Sequence, residues 1–228
     1  MDKGDEMKLH STWTHANGNM IAAVDTETTG LRSGYHDMIQ IAILPLTPEL
    51  KPSGIKPFNL TIRPDDFDRI DMRAMRVNKI SFEELRSSPC QEDAFFIFEN
   101  WVEEHVVGNN FKKILPIGQN IQFDMGFIKE WAGWDSKNPG DNYSEDFFEW
   151  RKARDTKYVA EFLNDLAWEK NLPLPFGRTS LNSLSSKLNG DYAGAHDALT
   201  DCRITAKVYR RLMRLMTNLE FGAVDENE

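Results

Sequence analysis

The run Met20-Ile-Ala-Ala-Val-Asp25 is apolar at every position until it meets an acid, and this limits the fold more than any other feature. Successive strand side chains point to opposite faces, so a strand apolar on both faces must be covered on both. Such a strand belongs inside a layered α/β domain. Met38 to Leu44 and Phe58 to Arg63 have the same β-rich apolar character, flanked by Gly, Pro and Ser, and Ile114 to Gly118 reads as a further short strand. Gln91 to Val107 repeats Phe95, Phe98 and Val102 at a helical period. Further helices are expected from about Asn120 to Trp131, Asp155 to Lys170, Ser180 to Leu188 and Asp197 to Leu219. Between the third strand and Gln91 the pattern is mixed helix and loop, with a capping box at Ser81-Phe-Glu-Glu. Lys137 to Glu145 reads as a surface loop. Strands early and helices late predict an α/β fold, one mixed sheet flanked by helices.

At 228 residues a single domain suffices, expected over residues 19–219, after a polar, disordered leader (1–18) and before an acidic tail (220–228). No apolar run approaches the ~20 residues needed to cross a bilayer, and the leader lacks the apolar segment of a signal peptide. No membrane partner is expected, and the cytoplasm is the expected location. Cys90 and Cys202 are too few for a disulfide framework or a zinc site and read as buried thiols. A net charge of −9 opposes a polyanionic partner unless local cations or bound metal offset it. Composition leaves both readings open.

Several acids fall where hydrophobes are expected. Asp25 and Glu27 share one face of the first strand. Asp124 shares a helical face with Asn120, Phe127, Ile128 and Trp131, and Asp201 falls on the stripe of Ile204, Val208, Leu212, Leu215 and Leu219. Any one of them alone reads as a hydrogen-bonded or partly wet acid, or as a strand end reaching solvent. Three elements each turning acid inward read differently, because like charges sharing a covered site resist ionisation unless a cation lies between them. Carboxylate oxygens suit Mg²⁺ or Mn²⁺ better than zinc, and such clusters support two-metal phosphoryl chemistry. His196 is expected in the loop just before the last helix, with Asp197 as N-cap, placed to take a proton from water. His10, His15, His36 and His105 read as surface residues.

Val24-Asp-Thr-Glu-Thr-Thr-Gly-Leu31, Asn120-Ile-Gln-Phe-Asp124 and Ala195-His-Asp-Ala-Leu-Thr-Asp201, in that order, resemble the three motifs of the DEDDh branch of the DEDD exonuclease superfamily. That group contains the bacterial DNA polymerase III proofreading subunit and ribonuclease T. Ala74 to Ser81 and Asp155-Thr156 are smaller echoes. The resemblance implies a ribonuclease-H-like fold and 3′→5′ hydrolysis of single-stranded DNA or RNA ends, DNA favoured, to nucleoside 5′-monophosphates. It implies Asp25, Glu27, Asp124 and Asp201 as ligands of two divalent cations, Mg²⁺ or Mn²⁺, and His196 as general base. Thr28 and Leu31 would contact the terminal nucleotide, with Asn78 and Asn120 lining the cleft. A polymerase is the further partner it raises, the chain acting alone or as a detachable proofreader. Gln119 stands where a histidine is often found, and Asn78-Lys79 where a His-Gly pair is common. Alternatives are an RNA-trimming exonuclease and a non-catalytic nucleic-acid-binding module of the same fold. Arg203, Lys207, Arg210 and Arg214 form a stripe on the last helix, turned roughly 130° from Asp201. It reads as a solvated face, with phosphate tracking as the alternative. Arg63, Arg69, Arg73, Arg76 and Lys79 have acids nearby in sequence and carry little weight alone.

Overall fold

A computed structural model describes residues 16–133, 144–188 and 196–216. The first strand, β1 (Met20–Thr28), lies at the centre of a five-stranded sheet. On one side it pairs antiparallel with β2 (Met38–Pro45), which pairs antiparallel with β3 (Phe58–Thr61). On the other it runs parallel to β4 (Ile114–Gly118), which runs parallel to the two-residue β5 (Arg154–Asp155). The order β3-β2-β1-β4-β5 is the mixed sheet that the strand patterns predict. β5 went unread because two residues are too short to carry a period.

Between β3 and β4 come α1 (Met72–Asn78), α2 (Phe82–Ser87) and α3 (Gln91–His105). The Ser81 hydroxyl accepts from the Glu84 N–H, one half of the capping box, while the Glu84 carboxylate accepts from the Thr61 hydroxyl. After β4 come α4 (Gln122–Gly133) and the single turn α5 (Ser144–Phe147). After β5 follow α6 (Thr156–Glu169), α7 (Leu181–Lys187) and α8 (Ala198–Met216).

The alternation along β1 sorts the core into two layers. Met20, Ala22 and Val24 pack with Phe98, Phe127, Ile128 and Trp131 beneath α3 and α4. Ile21 and Ala23 pack with Leu115, Ile117, Ala198, Cys202 and Ala206 beneath α8. The central strand is therefore covered on both faces, the burial its apolar run demands.

Some expectations change in detail. β1 does not stop at Asp25; pairing with β2 carries it to Thr28, so Asp25 and Glu27 are inside the strand. Ser144 and Glu145 open α5, and the rest of the expected 137–145 loop lies outside the described residues. So do most of the leader, the acidic tail, His10, His15 and Leu219. Cys202 is buried, but Cys90 is half-buried at the start of α3. Leu215 is exposed, because the last turns of α8 pass beyond the sheet. His36 and His105 are half-buried, each with its ring against an aromatic neighbour. No helix among the described residues is long and apolar enough to cross a membrane.

Candidate active site

The site forms where β1 loses a neighbour. Its parallel pairing with β4 ends at Ala23 opposite Ile117, whereas pairing with β2 continues through Asp25 opposite Ala42 and Glu27 opposite Gln40. Beyond Ala23 one edge of β1 has no strand beside it. Asp124, in the first turn of α4, fills that edge: its Oδ1 accepts from the Thr26 N–H at 2.9 Å and from the Thr26 hydroxyl at 2.8 Å. Thr26 faces the α4 layer by alternation, so Asp25 and Glu27 face the α8 layer. Asp201 enters from the first turn of α8, and one oxygen from each of Asp25, Glu27 and Asp201 lies within 4.8 Å of the others. Asp124 stands outside that cluster of three, held on Thr26, yet near enough for its charge to act on Asp25 and Glu27.

These charges oppose one another. Burial, then the charges of Asp124, Asp201, Glu27 and Asp197, hold the Asp25 carboxyl well above its ordinary range. Burial, Asp201, Asp124 and Asp197 push Glu27 up to about 8. Burial also raises Asp124, to about 7 even against the Thr26 hydrogen bonds, and it raises Asp201 despite nearby His196. No lysine or arginine forms an ion pair with these four among the described residues. Asp201 Oδ1 is buried and accepts no hydrogen bond, an arrangement that usually costs several kcal/mol. A divalent cation would satisfy that oxygen and reverse the repulsion, so the donor set fits a hard metal ion. The fit rests on carboxylate oxygens alone, as the sequence pattern anticipates.

The start of α8 is held by a residue that the sequence reading missed. Gln40 Oε1 accepts from the Ala198 N–H at 3.1 Å, and its Nε2 donates to Asp197 Oδ1 at 3.4 Å. Asp197 caps the helix as expected, accepting from the Thr200 N–H and hydroxyl. His196 lies just outside the helix with φ of 71°, and its backbone N–H donates to Asp201 Oδ2 at 3.2 Å. The one signal for Gln40 was a lone amide in the apolar run Met38 to Leu44.

The four residues expected to meet substrate occupy different depths. Leu31 is 80% exposed at the surface. Thr28 is buried, its hydroxyl donating to the Gly30 carbonyl, and buried Asn78 donates its amide to the Thr28 carbonyl at 3.3 Å. Asn120, with φ of 58°, is half-buried between β4 and α4. Asp155, only an echo in the sequence, accepts from the Asn120 and Ile121 N–H groups and so fixes the turn that delivers Asp124. Gln119 bridges Thr156 and the Thr179 carbonyl. Lys79 ends α1 with φ of 62°, which accounts for the glycine common at this position: the backbone is left-handed there. On α8, Arg203, Lys207 and Arg214 are exposed and Arg210 half-buried, the solvated face expected of the stripe.

A family model for exonucleases of the RNase T kind matches residues 22–209, from the middle of β1 to the middle of α8. This chain belongs to the RNase T exonuclease family. The exonuclease is accordingly a nuclease, a metal-dependent hydrolase, and the resemblance of its motifs to the DEDD exonucleases holds. Among curated proteins it is 24% identical over 204 residues to the PolC-type DNA polymerase III of Staphylococcus aureus, covering 90% of this chain and 12% of the polymerase. The exonuclease therefore spans about an eighth of the length of those relatives. Among solved structures it resembles cell-death related nuclease 4 with a TM-score of 0.65 and 14% identity, over 86% of this chain and 64% of that one. The nuclease domain of 3′hExo, a DEDDh family member bound to rAMP, gives 0.60 and 14% over 90% and 96%. Zinc-bound E. coli exonuclease I in complex with single-stranded DNA gives 0.63 and 16% over 88% and 41%. At these identities the structural likeness is one of fold, the ribonuclease-H-like mixed sheet.

Proposed function

We propose that this exonuclease removes nucleotides one at a time from the 3′ end of single-stranded nucleic acid, DNA in preference to RNA, releasing nucleoside 5′-monophosphates. The observation that carries the reading is the cluster of Asp25, Glu27 and Asp201 at the open edge of β1, where Asp124 is held on Thr26, with a buried Asp201 oxygen that accepts no hydrogen bond. These four carboxylates are the residues that would hold two divalent cations, Mg²⁺ or Mn²⁺. Cations bound there supply Lewis acidity and charge neutralisation to the phosphodiester. His196, tied to Asp201 through its backbone, takes the proton from the attacking water, whose oxygen bonds to phosphorus as the bond to the upstream 3′ oxygen breaks. Leu31 and Asn120 line the terminal nucleotide's place, and Thr28 and Asn78 support that wall from behind. The likeness to a PolC-type polymerase supports a polymerase as partner and a proofreading role.

The test is digestion of matched 5′-labelled DNA and RNA oligonucleotides. A ladder shortening from the 3′ end is expected with Mg²⁺ or Mn²⁺, faster on DNA, and nothing in EDTA or with Ca²⁺, whose looser coordination suits the geometry poorly. Full activity in EDTA would overturn the metal site. Immediate release of the labelled mononucleotide would reverse the polarity, and cutting of a circular strand would make the protein an endonuclease.

A further inference from the structure

We propose that Arg32 and Tyr35 on the β1–β2 loop, with Arg69, Met72 and Arg73 beside them, form a second nucleotide-binding station that holds single-stranded nucleic acid upstream of the nucleotide being removed. The proposal deepens the nuclease reading above and rests on it.

The chain carries a net charge of −9, so any strand it holds needs local cations. Sequence proximity to acids discounts Arg69 and Arg73 and leaves Arg32 unread. In the structure only Arg69 is paired, to Asp66 at 2.9 Å, whereas Arg32 and Arg73 form no ion pair among the described residues. The Arg32 and Arg69 guanidinium carbons lie 5.2 and 5.7 Å from the centre of the Tyr35 ring, which is 46% exposed. A single aromatic ring with guanidinium planes laid over it offers what a sequence-tolerant single-strand site requires: flat surfaces on which bases stack and positive charge for the backbone. Met72 adds a large exposed apolar side chain beside them.

Two anchors fix the ridge to the catalytic strand. The loop is closed at its base by reciprocal bonds, Thr29 N–H to the Asp37 carbonyl and Asp37 N–H to the Thr29 hydroxyl. Within it the Tyr35 and His36 N–H groups donate to the Arg32 carbonyl, and Gly34 takes a φ of 79°. The His36 ring packs so close to Gly30 that a Cβ there would lie 2.3 Å from it. On the other side, the Asp71 N–H at the head of α1 donates to the Thr29 carbonyl at 2.8 Å, setting Met72 and Arg73 beside the same segment. Tyr35 is therefore held a fixed step from Thr28 and the site acids.

The experiment measures binding of a labelled thymidine decamer, a uridine decamer and a thymidine dinucleotide in EDTA by fluorescence anisotropy, and their hydrolysis with Mg²⁺. Tyr35→Ala and Arg32→Ala should each weaken decamer binding roughly tenfold and raise KM with little change in kcat, while the dinucleotide, too short to reach the station, is held as before. Tyr35→Phe should bind like the unsubstituted protein, because the ring remains. Loss on both decamers supports a station that takes either sugar, and loss on the thymidine decamer alone one that reads deoxyribose. Undiminished decamer binding by Tyr35→Ala overturns the proposal, as does equal weakening of decamer and dinucleotide. If no oligonucleotide is cut yet decamer binding depends on Tyr35, the nuclease reading fails and the station stands. Cleavage and binding indifferent to both substitutions leave the nuclease and remove the station.

Discussion

Replacing Glu27 with glutamine should stabilise the metal-free protein, by an amount that grows with pH. The folded carboxyl is held near 8, against an ordinary 4.5, by burial and by Asp201, Asp124 and Asp197. Between those values the folded chain retains a proton that the unfolded chain has lost. Stability is therefore fully present below about 4.5 and declines as pH rises through the folded value. At about 1.4 kcal/mol per unit, the handicap is under about 1 kcal/mol near pH ~5 and approaches about 3 kcal/mol near pH ~7. The latter is an upper bound, because Glu27 is partly open to solvent that screens it. Glutamine keeps the shape and carries no charge. At roughly 2–4 °C per kcal/mol for a chain of this size, the variant should melt up to about 6–12 °C higher near neutrality and only a few degrees higher in mild acid. Calorimetry in EDTA at both pH values measures this directly. With saturating Mn²⁺ the order should invert, because the variant has lost a ligand that only the ionised acid supplies. An equal gain in melting temperature at the two pH values, or a less stable variant in EDTA at neutral pH, would refute the claim that burial and the neighbouring acids hold the Glu27 carboxyl up.

His196→Ala should lose about two to four orders of magnitude in single-turnover rate while retaining Mn²⁺ affinity by calorimetric titration; failure chiefly through lost metal binding would make His196 a ligand and not a base. Lys79→Gly should raise stability by about 1 kcal/mol in denaturant melts, because Lys79 now bears the steric cost of a left-handed backbone. Gln40→Ala should cost about 1–3 kcal/mol in the same melts by leaving the buried Ala198 N–H without an acceptor. It should also lower kcat, since Asp201 and His196 follow the start of α8.

The strands and long helices were legible because their apolar residues repeat at strand or helical spacing over enough length to register. Asp124 and Asp201 were legible for the opposite reason, as polar interruptions of a regular apolar face, and both are buried. What periodicity could not show is the meeting of these acids. Asp124 and Asp201 belong to opposite layers, and only the early end of the β1–β4 pairing lets them share a site. Gln40 was hidden because a single amide within a strand says nothing of a partner 158 residues away. The basic ridge was discounted because acids near in sequence were taken to neutralise it, whereas only Asp66 reaches its neighbour. α1 was blurred within a mixed region, since only Met75 and Asn78 of its seven residues are buried and so give no stripe.

The Gln40 bridge to α8 also has a temporal side. A ribosome completes β2 long before it reaches residue 197, so the glutamine waits with its amide unengaged while the intervening segments are made. Until α8 docks, the growing polypeptide carries Asp25, Glu27 and Asp124 but neither Asp201 nor His196. On the proposed assignment of those residues, no copy of this chain made only as far as residue 195 holds a complete hydrolytic centre, and a transcript broken before α8 is encoded yields an inert product. The segment that carries α8 thus acts as the key that arms the enzyme.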